Sequence, residues 1–290
     1  MNFAYSILKI PYQGFKRIYR KLRLLKNKNL SKVNKNLLVK KFKEIGLKSN
    51  MNLYVHSSLS SFGYIENGPN TVIEALKEVV NNGTIMMPTF THPKEIFTLA
   101  DFCWTGSIPE TFRKQENTSR SIHPLHSISV QGNNTKYLTK DHENSKASFD
   151  ENSPFKKFIE LENSYILMLG TENNSMIHYI QNKLNFPNLF LSETKKTNFN
   201  NRTIESKQHH PELSITYIYK NKKCSDVDFL VNMYRDLKFE EREIMKTVKI
   251  GNATCRLIDT KDFIKFGTPY LEKNMEEYKQ KYSELKNGTN

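Results

Sequence analysis

Three segments of the 290-residue chain combine residue types that do chemistry. The first is VHSSLSSFGYIENG, residues 55–68, where His56, small hydroxyls and a late Gly63 follow an apolar run. At a strand-to-helix junction such a turn offers backbone N–H groups and the Ser57 and Ser58 hydroxyls to a phosphate or pyrophosphate. The same composition also makes a plain surface loop. The second is RSIHPLHS, residues 120–127, in which Arg120 could clamp a phosphate. His123 and His126 stand three residues apart, but Pro124 opposes a helix between them and no nearby Cys or acid completes a ligand set. No metal site is therefore expected, while ligand-facing and purely structural roles for these imidazoles both stay open. The third is LGTENNSMIHYIQ, residues 169–181, where His178 enters the first turns of a helix after an apolar run. Ligands of α/β sheets collect at the carboxyl ends of the strands, which suits His178 to general-base work. A hydrogen-bonded core histidine is the alternative. His209 and His210, in NRTIESKQHHPEL, read as an exposed loop.

The elements that must position these segments follow from periodicity and punctuation. Apolar runs predict strands at 52–56, 84–88, 127–131, 165–169, 214–219, 246–250 and 253–257. Helices are expected at 37–45, ended by Gly46, and at 71–80, capped by Asn70 or Thr71. Others are expected at 109–114, 153–161, 175–184, 226–235 and 268–286. Gly251-Asn252 between two strands is a hairpin signal. Alternation of strands and helices argues an α/β fold with a mixed sheet and an antiparallel C-terminal hairpin.

Composition bounds the partners. The formal net charge is +14, yet residues 1–50 hold 14 Lys or Arg and a single acid, Glu44, so the remaining 240 residues are nearly neutral. That argues against a nucleic-acid-binding surface spread over the body. Phe15, Ile18, Tyr19, Leu22 and Leu25 form one helical stripe among lysines and arginines. Residues 1–30 thus read as a basic amphipathic extension, placed either against an anionic membrane surface or on the body itself. Residues 31–290 read as one domain. Three distant cysteines and the lack of a ~20-residue apolar run suit a reducing, cytoplasmic setting, with peripheral membrane contact as an option.

Taken together the motifs carry a resemblance. VHSSLSSFGYIENGPNTVIEALKEVVNNGTIMMPTFT (55–91) resembles the opening signature of the aminoglycoside 3-N-acetyltransferase family, acyl-CoA-dependent N-acyltransferases distinct from the GNAT fold. SIPETFRKQENTSRSIHPLHSISVQG, the pair Asp141-His142, NSPFKKF, LMLGTENNSMIHYIQ and TVKIGNATCRLIDTKDFIKFGTPYL continue it in order, from about Leu37 to Asn274. The resemblance implies a three-layer α/β/α domain that binds acetyl-CoA and acetylates an amine of an amino sugar. It puts the family's catalytic histidine on His178, three residues after Ser175. It sets His56, Ser57, Ser58, Leu59, Gly63, Arg120, Ser121, His126 and Ser127 along the CoA and active-site cleft.

Departures from the family pattern carry their own expectations. Gln181 stands where a Glu often follows the histidine, so a carboxylate for the imidazole would come from elsewhere, with Glu172 and Asp228 as candidates. Asp150 replaces a frequent Gly, and residues 1–30 have no counterpart. The acceptor is expected to be an amino sugar: either an antibiotic, which as a polycation wants an acidic pocket, or a precursor of cell-surface polysaccharide. A non-catalytic binding protein on the same fold is the competing reading.

Overall fold

A computed structural model of the chain describes residues 32–185, 193–208, 217–219 and 222–288; the expected basic helix of residues 1–30 and the pair His209-His210 lie outside them. The main strands are β1 (Asn52–Ser57), β2 (Thr84–Pro88), β3 (Ser119–Arg120), β4 (Ile128–Gly132) and β5 (Ser164–Leu169). Two short hairpins follow, β6 (Glu193–Phe199) with β7 (Arg202–Gln208) and β8 (Tyr217–Tyr219) with β9 (Lys222–Cys224). The C-terminal hairpin is β10 (Met245–Ile250) and β11 (Ala253–Asp259). The first four helices are α1 (Lys35–Ile45), α2 (Pro69–Val80), α3 (Ser107–Phe112) and α4 (Thr135–Thr139). After them come α5 (Pro154–Glu160), α6 (Ile177–Lys183), α7 (Asp226–Asp236) and α8 (Thr260–Gly288).

Alternation along the central strands sets the layers, because successive strand side chains point to opposite faces. Leu53, Val55, Ile85, Met87, Leu167 and Leu169 join one core with Leu38 and Phe42 of α1, Val72 and Leu76 of α2 and Ile108 of α3. Tyr54, Met86, Ile166 and Met168 join the other core with Phe155 of α5, Ile177 of α6, Phe229 of α7 and Phe263 of α8. The seven strands run β10-β11-β5-β1-β2-β4-β3. β1 is parallel to both β2 and β5, and the outer pairings are antiparallel. This is the expected three-layer α/β architecture with a mixed sheet. It places the carboxyl end of β1 at the middle of the molecule, between those of β2 and β5.

The C-terminal hairpin turns where expected, with Ile250 opposite Ala253. Gly251 has φ +56°, and a Cβ there would stand 2.4 Å from the Phe62 carbonyl oxygen. That close approach presses the hairpin tip onto the turn that follows β1, where Asn252 N–H also donates to Phe62 O at 3.1 Å. Gly251→Ala is expected to lower stability by about 2 kcal/mol, the cost of a left-handed non-glycine residue. Urea unfolding should show a lower midpoint at unchanged slope.

Several elements differ from the sequence expectation. Arg202–Gln208, expected as loop, is strand β7, paired in register with β6. Among the described side chains of this hairpin only Thr197, Ile204 and Ser206 are buried, so its apolar alternation is too sparse to read. α2 starts one residue before the expected cap, because Pro69 presets the first helical turn after Gly68. α8 begins at Thr260 and runs through Pro269. Gly267 does not end it: a Cβ there would come within 3.0 Å of Ile180, so the glycine lets α8 approach α6.

Candidate active site

β1 ends in a short 3-10 turn, Leu59–Ser61. Ser58 N–H donates to Leu169 O of the neighbouring strand at 2.9 Å, and Ser61 Oγ donates to Ser58 Oγ at 2.9 Å. Leu59 packs on the α1/α2 core, and Gly63, at φ +90°, faces the Asn252 side chain. The Ser57 hydroxyl is buried without a hydrogen-bond partner. A buried polar group in that state gains most from a ligand that satisfies it.

On the opposite face of β1, Tyr54 and His56 lead to α6. The buried Tyr54 hydroxyl bonds Ser175 Oγ at 2.6 Å, and Ser175 N–H donates to His56 Nε2 at 3.4 Å. Both residues thereby fix the loop that launches α6. His178 lies in the first turn of that helix, partly exposed, with its Nδ1 2.7 Å from Gln181 Oε1. Phe149 meets the imidazole edge-on at 5.2 Å between ring centres. The amide oxygen can only accept, so Nδ1 carries the proton and the lone pair is on Nε2, the tautomer a general base needs. Burial, then the neighbouring His178, pushes His56 down to about 3. His56 is therefore neutral at physiological pH and accepts, rather than donates, at Nε2.

Neither candidate carboxylate is the imidazole's partner. Glu172 is ion-paired to Arg256 of β11. Asp228 closes the capping box of α7 with Ser225. The buried Gln181, only 1% exposed, occupies the partner's place itself.

The second segment builds scaffold. Arg120 is 9% exposed; its Nε donates to Ser127 Oγ at 3.0 Å and its Nη groups to the carbonyls of Thr89, Leu99 and Asp101. Burial, then the Arg113 charge, lowers it to about 10, which leaves it cationic at neutral pH. Ser127 Oγ in turn donates to Thr89 O. The phosphate clamp expected of Arg120 would have to break these bonds to carbonyl oxygens. Arg120→Met should therefore cost about 2–3 kcal/mol of stability, the scale of losing bonds from a charged donor. The acetyl-CoA KM should stay within about threefold, against the loss of more than 1.4 kcal/mol that a true clamp would show.

Ser121 Oγ bonds His142 Nδ1 at 2.8 Å and is fully buried. His123 stacks on His142 at 4.6 Å and accepts from the N–H groups of Leu125 and His126. Of this segment, His126 shares an aromatic neighbour with His178. Its Nδ1 bonds Ser148 Oγ at 2.7 Å, and its ring lies 5.3 Å from Phe149, the residue that also touches His178. Tyr54 enters the site from β1, Phe90 from the segment after β2, and Ser148 and Phe149 together from the loop before α5, and no spacing in the sequence announces them. A cavity of about 680 Å³ opens at the other end of the sheet, beside Lys77, Gly83 and Gly132, and no candidate residue lines it.

Comparison with known proteins sets this geometry in context. The family described as aminoglycoside 3-N-acetyltransferase matches residues 54–272. A curated relative, the SPbeta prophage-derived aminoglycoside N(3')-acetyltransferase-like protein YokD of Bacillus subtilis (strain 168), is 26% identical over 83% of this chain and 93% of its own. Among solved structures, AAC-IIIb as a binary complex with CoASH superposes with a TM-score of 0.68 at 20% identity, over 84% of this chain and 98% of that one. AAC-VIa bound to sisomicin gives 0.68 at 20% identity, over 84% and 99%. With a family match across three quarters of its length, the chain belongs to the aminoglycoside 3-N-acetyltransferase family of N-acyltransferases.

Proposed function

We propose that this protein transfers the acetyl group of acetyl-CoA to a primary amine of an amino sugar within a ternary complex, with His178 as general base. The observation that carries the reading is the 2.7 Å bond between His178 Nδ1 and Gln181 Oε1, which puts the ring's lone pair on Nε2, where it can accept a proton. A neutral amine attacks the thioester carbonyl, a C–N bond forms and the C–S bond breaks. The amine proton passes to His178 Nε2 and from there to the departing CoA thiolate, so no acyl-enzyme is required.

The turn after β1 is the proposed thioester cradle. It brings together the N–H groups of Leu59 and Ser60, which open the turn, and the unpartnered Ser57 hydroxyl, the kind of fixed donors that stabilise a developing oxyanion, while the Ser61 and Phe62 N–H groups close the turn on the carbonyls of Ser58 and Leu59. A structural relative held with CoASH supports CoA as the donor, and another bound to sisomicin supports an amino-sugar acceptor. The described residues are read as one catalytic domain, preceded by a basic extension over residues 1–30. Thiol release from acetyl-CoA, followed against both substrates, tests the reading. Intersecting initial-velocity lines are expected; parallel lines would indicate a covalent intermediate and overturn direct transfer. CoA binding without turnover on any amine would favour a binding protein instead.

A further inference from the structure

The loop between β2 and α3 exposes an unusual amount of apolar surface. Phe102 is 67% exposed and Trp104 50% exposed, with His92 stacked on Trp104 at 6.0 Å and 23° between ring planes. Yet this loop is held firmly. Trp104 N–H donates to Phe90 O at 3.1 Å, Cys103 N–H donates to Glu110, and Arg120 bonds the carbonyls of Leu99 and Asp101 from beneath. Fixed aromatic side chains left in solvent mark a surface that receives something.

What they receive follows from where they lead. Trp104 meets Phe90 at 6.0 Å, Phe90 meets Phe149 at 6.3 Å, and Phe149 meets His178 at 5.2 Å. A chain of ring contacts through the buried Phe90 and Phe149 thus links the candidate base to the exposed indole. Among the described residues, the acids along it are already paired. Asp101 pairs with Lys94, Glu110 with Arg113 and Lys114, Glu151 with Lys156 and Glu172 with Arg256. Glu95, at the junction with β6, is a further exposed acid of the loop. One exposed charge contributes little, too little to hold a ligand with several ammonium groups.

We infer that Trp104 and His92, with Phe102 beside them, form the acceptor platform, and that the acceptor is an amino sugar with a single amine rather than a polycationic antibiotic. The C–H face of a pyranose ring lies flat on an indole, which would hold the sugar while its one amine reaches towards His178. This inference rests on the acetyl-transfer reading above and selects its substrate class.

Trp104 is the chain's single tryptophan, so its emission reports the platform independently of turnover. Titration of the full chain with free and nucleotide-linked 2-, 3- and 4-amino hexopyranosides should give a saturable change in that emission for at least one of them. In acetyl-CoA turnover that sugar should exceed sisomicin and gentamicin in kcat/KM. Trp104→Ala should raise its KM about tenfold, the upper scale of an aromatic stacking contact, with kcat and the acetyl-CoA KM little changed. Trp104→Phe should recover most of the loss. Unchanged acceptor KM in both Trp104→Ala and Phe102→Ala, or preference for the polycations, would overturn the inference. So would loss of self-association in these variants with kinetics intact, since the face would then serve a second copy of the chain. A saturable emission change without turnover on any amine would leave the platform standing and sink the acetyl-transfer reading instead.

Discussion

His178→Ala is expected to lower kcat by about 10²–10⁴-fold, the usual worth of a positioned general base, with acetyl-CoA affinity unchanged. The separation follows from the geometry. His178 sits on α6 with its Nδ1 committed to Gln181, while the proposed thioester cradle is built from β1, its turn and the tip of the C-terminal hairpin. Removing the imidazole takes nothing from that cradle. Gln181→Leu should move the same way by a smaller factor, because the ring keeps its place beside Phe149 but loses the acceptor that fixes its tautomer. Single-turnover rates and CoA titration check both variants. Full kcat in His178→Ala would remove His178 from the mechanism.

The protein is also expected to lose stability steeply as pH falls below about 6, well above the range where carboxylates titrate. His56 and His142 are buried and held near 3, and His123 well below its ordinary value, in each case first by desolvation. All three are neutral in the folded state, whereas the unfolded chain binds a proton on each below about pH 6.5. The unfolded state therefore holds more protons, and stability declines as pH drops from 6.5 towards 3. Once the unfolded imidazoles are fully protonated the slope approaches about 4 kcal/mol per pH unit, three times 1.36 kcal/mol. Against a typical total of roughly 5–15 kcal/mol, that predicts unfolding near pH 4–5.

The acids act in a lower window. Burial opposes ionisation of Glu110, but Arg113, the Cys103 N–H and Lys114 outweigh it and bring the carboxyl down to about 2. Its contribution is lost only below about pH 4.5. Thermal or urea unfolding from pH 7 to 4.5 checks the assignment. A flat profile to pH 5 would contradict it, and His142→Asn should remove about a third of the slope.

The parts of this molecule that were legible in its sequence are those where one local signal suffices. Leu53, Val55, Leu167 and Leu169 alternate with Tyr54 and Met168, so the central strands declare both their type and their two-faced burial. Gly251-Asn252 declares its hairpin, and Gly46 its helix end. The apolar run ending at Gly170 and the helical pattern after it place His178 in the first turns of a helix, where it is found. What stayed hidden depends on pairing between distant segments. Arg120 looks like an anion ligand until Thr89, Leu99 and Asp101 fold over it. Glu172 looks like a partner for histidine until β11 brings up Arg256. The β6–β7 hairpin carries mostly polar side chains, so periodicity has nothing to register. Pro269 and Gly267 suggest a late start for α8, but tertiary packing against α6 carries the helix straight through them.

The contact between Gly251 and the Phe62 carbonyl bears on how the enzyme is made. Every side chain of the candidate site precedes residue 182, yet the turn after β1 is completed by a hairpin tip some 70 residues further on. As the polypeptide leaves the ribosome, the base, its amide partner and the serine turn all emerge before the piece that presses them together. A nascent chain arrested short of residue 251 would own the whole chemical inventory and lack its final brace. The C-terminal hairpin is in this sense the last piece of the site's scaffold to be synthesised.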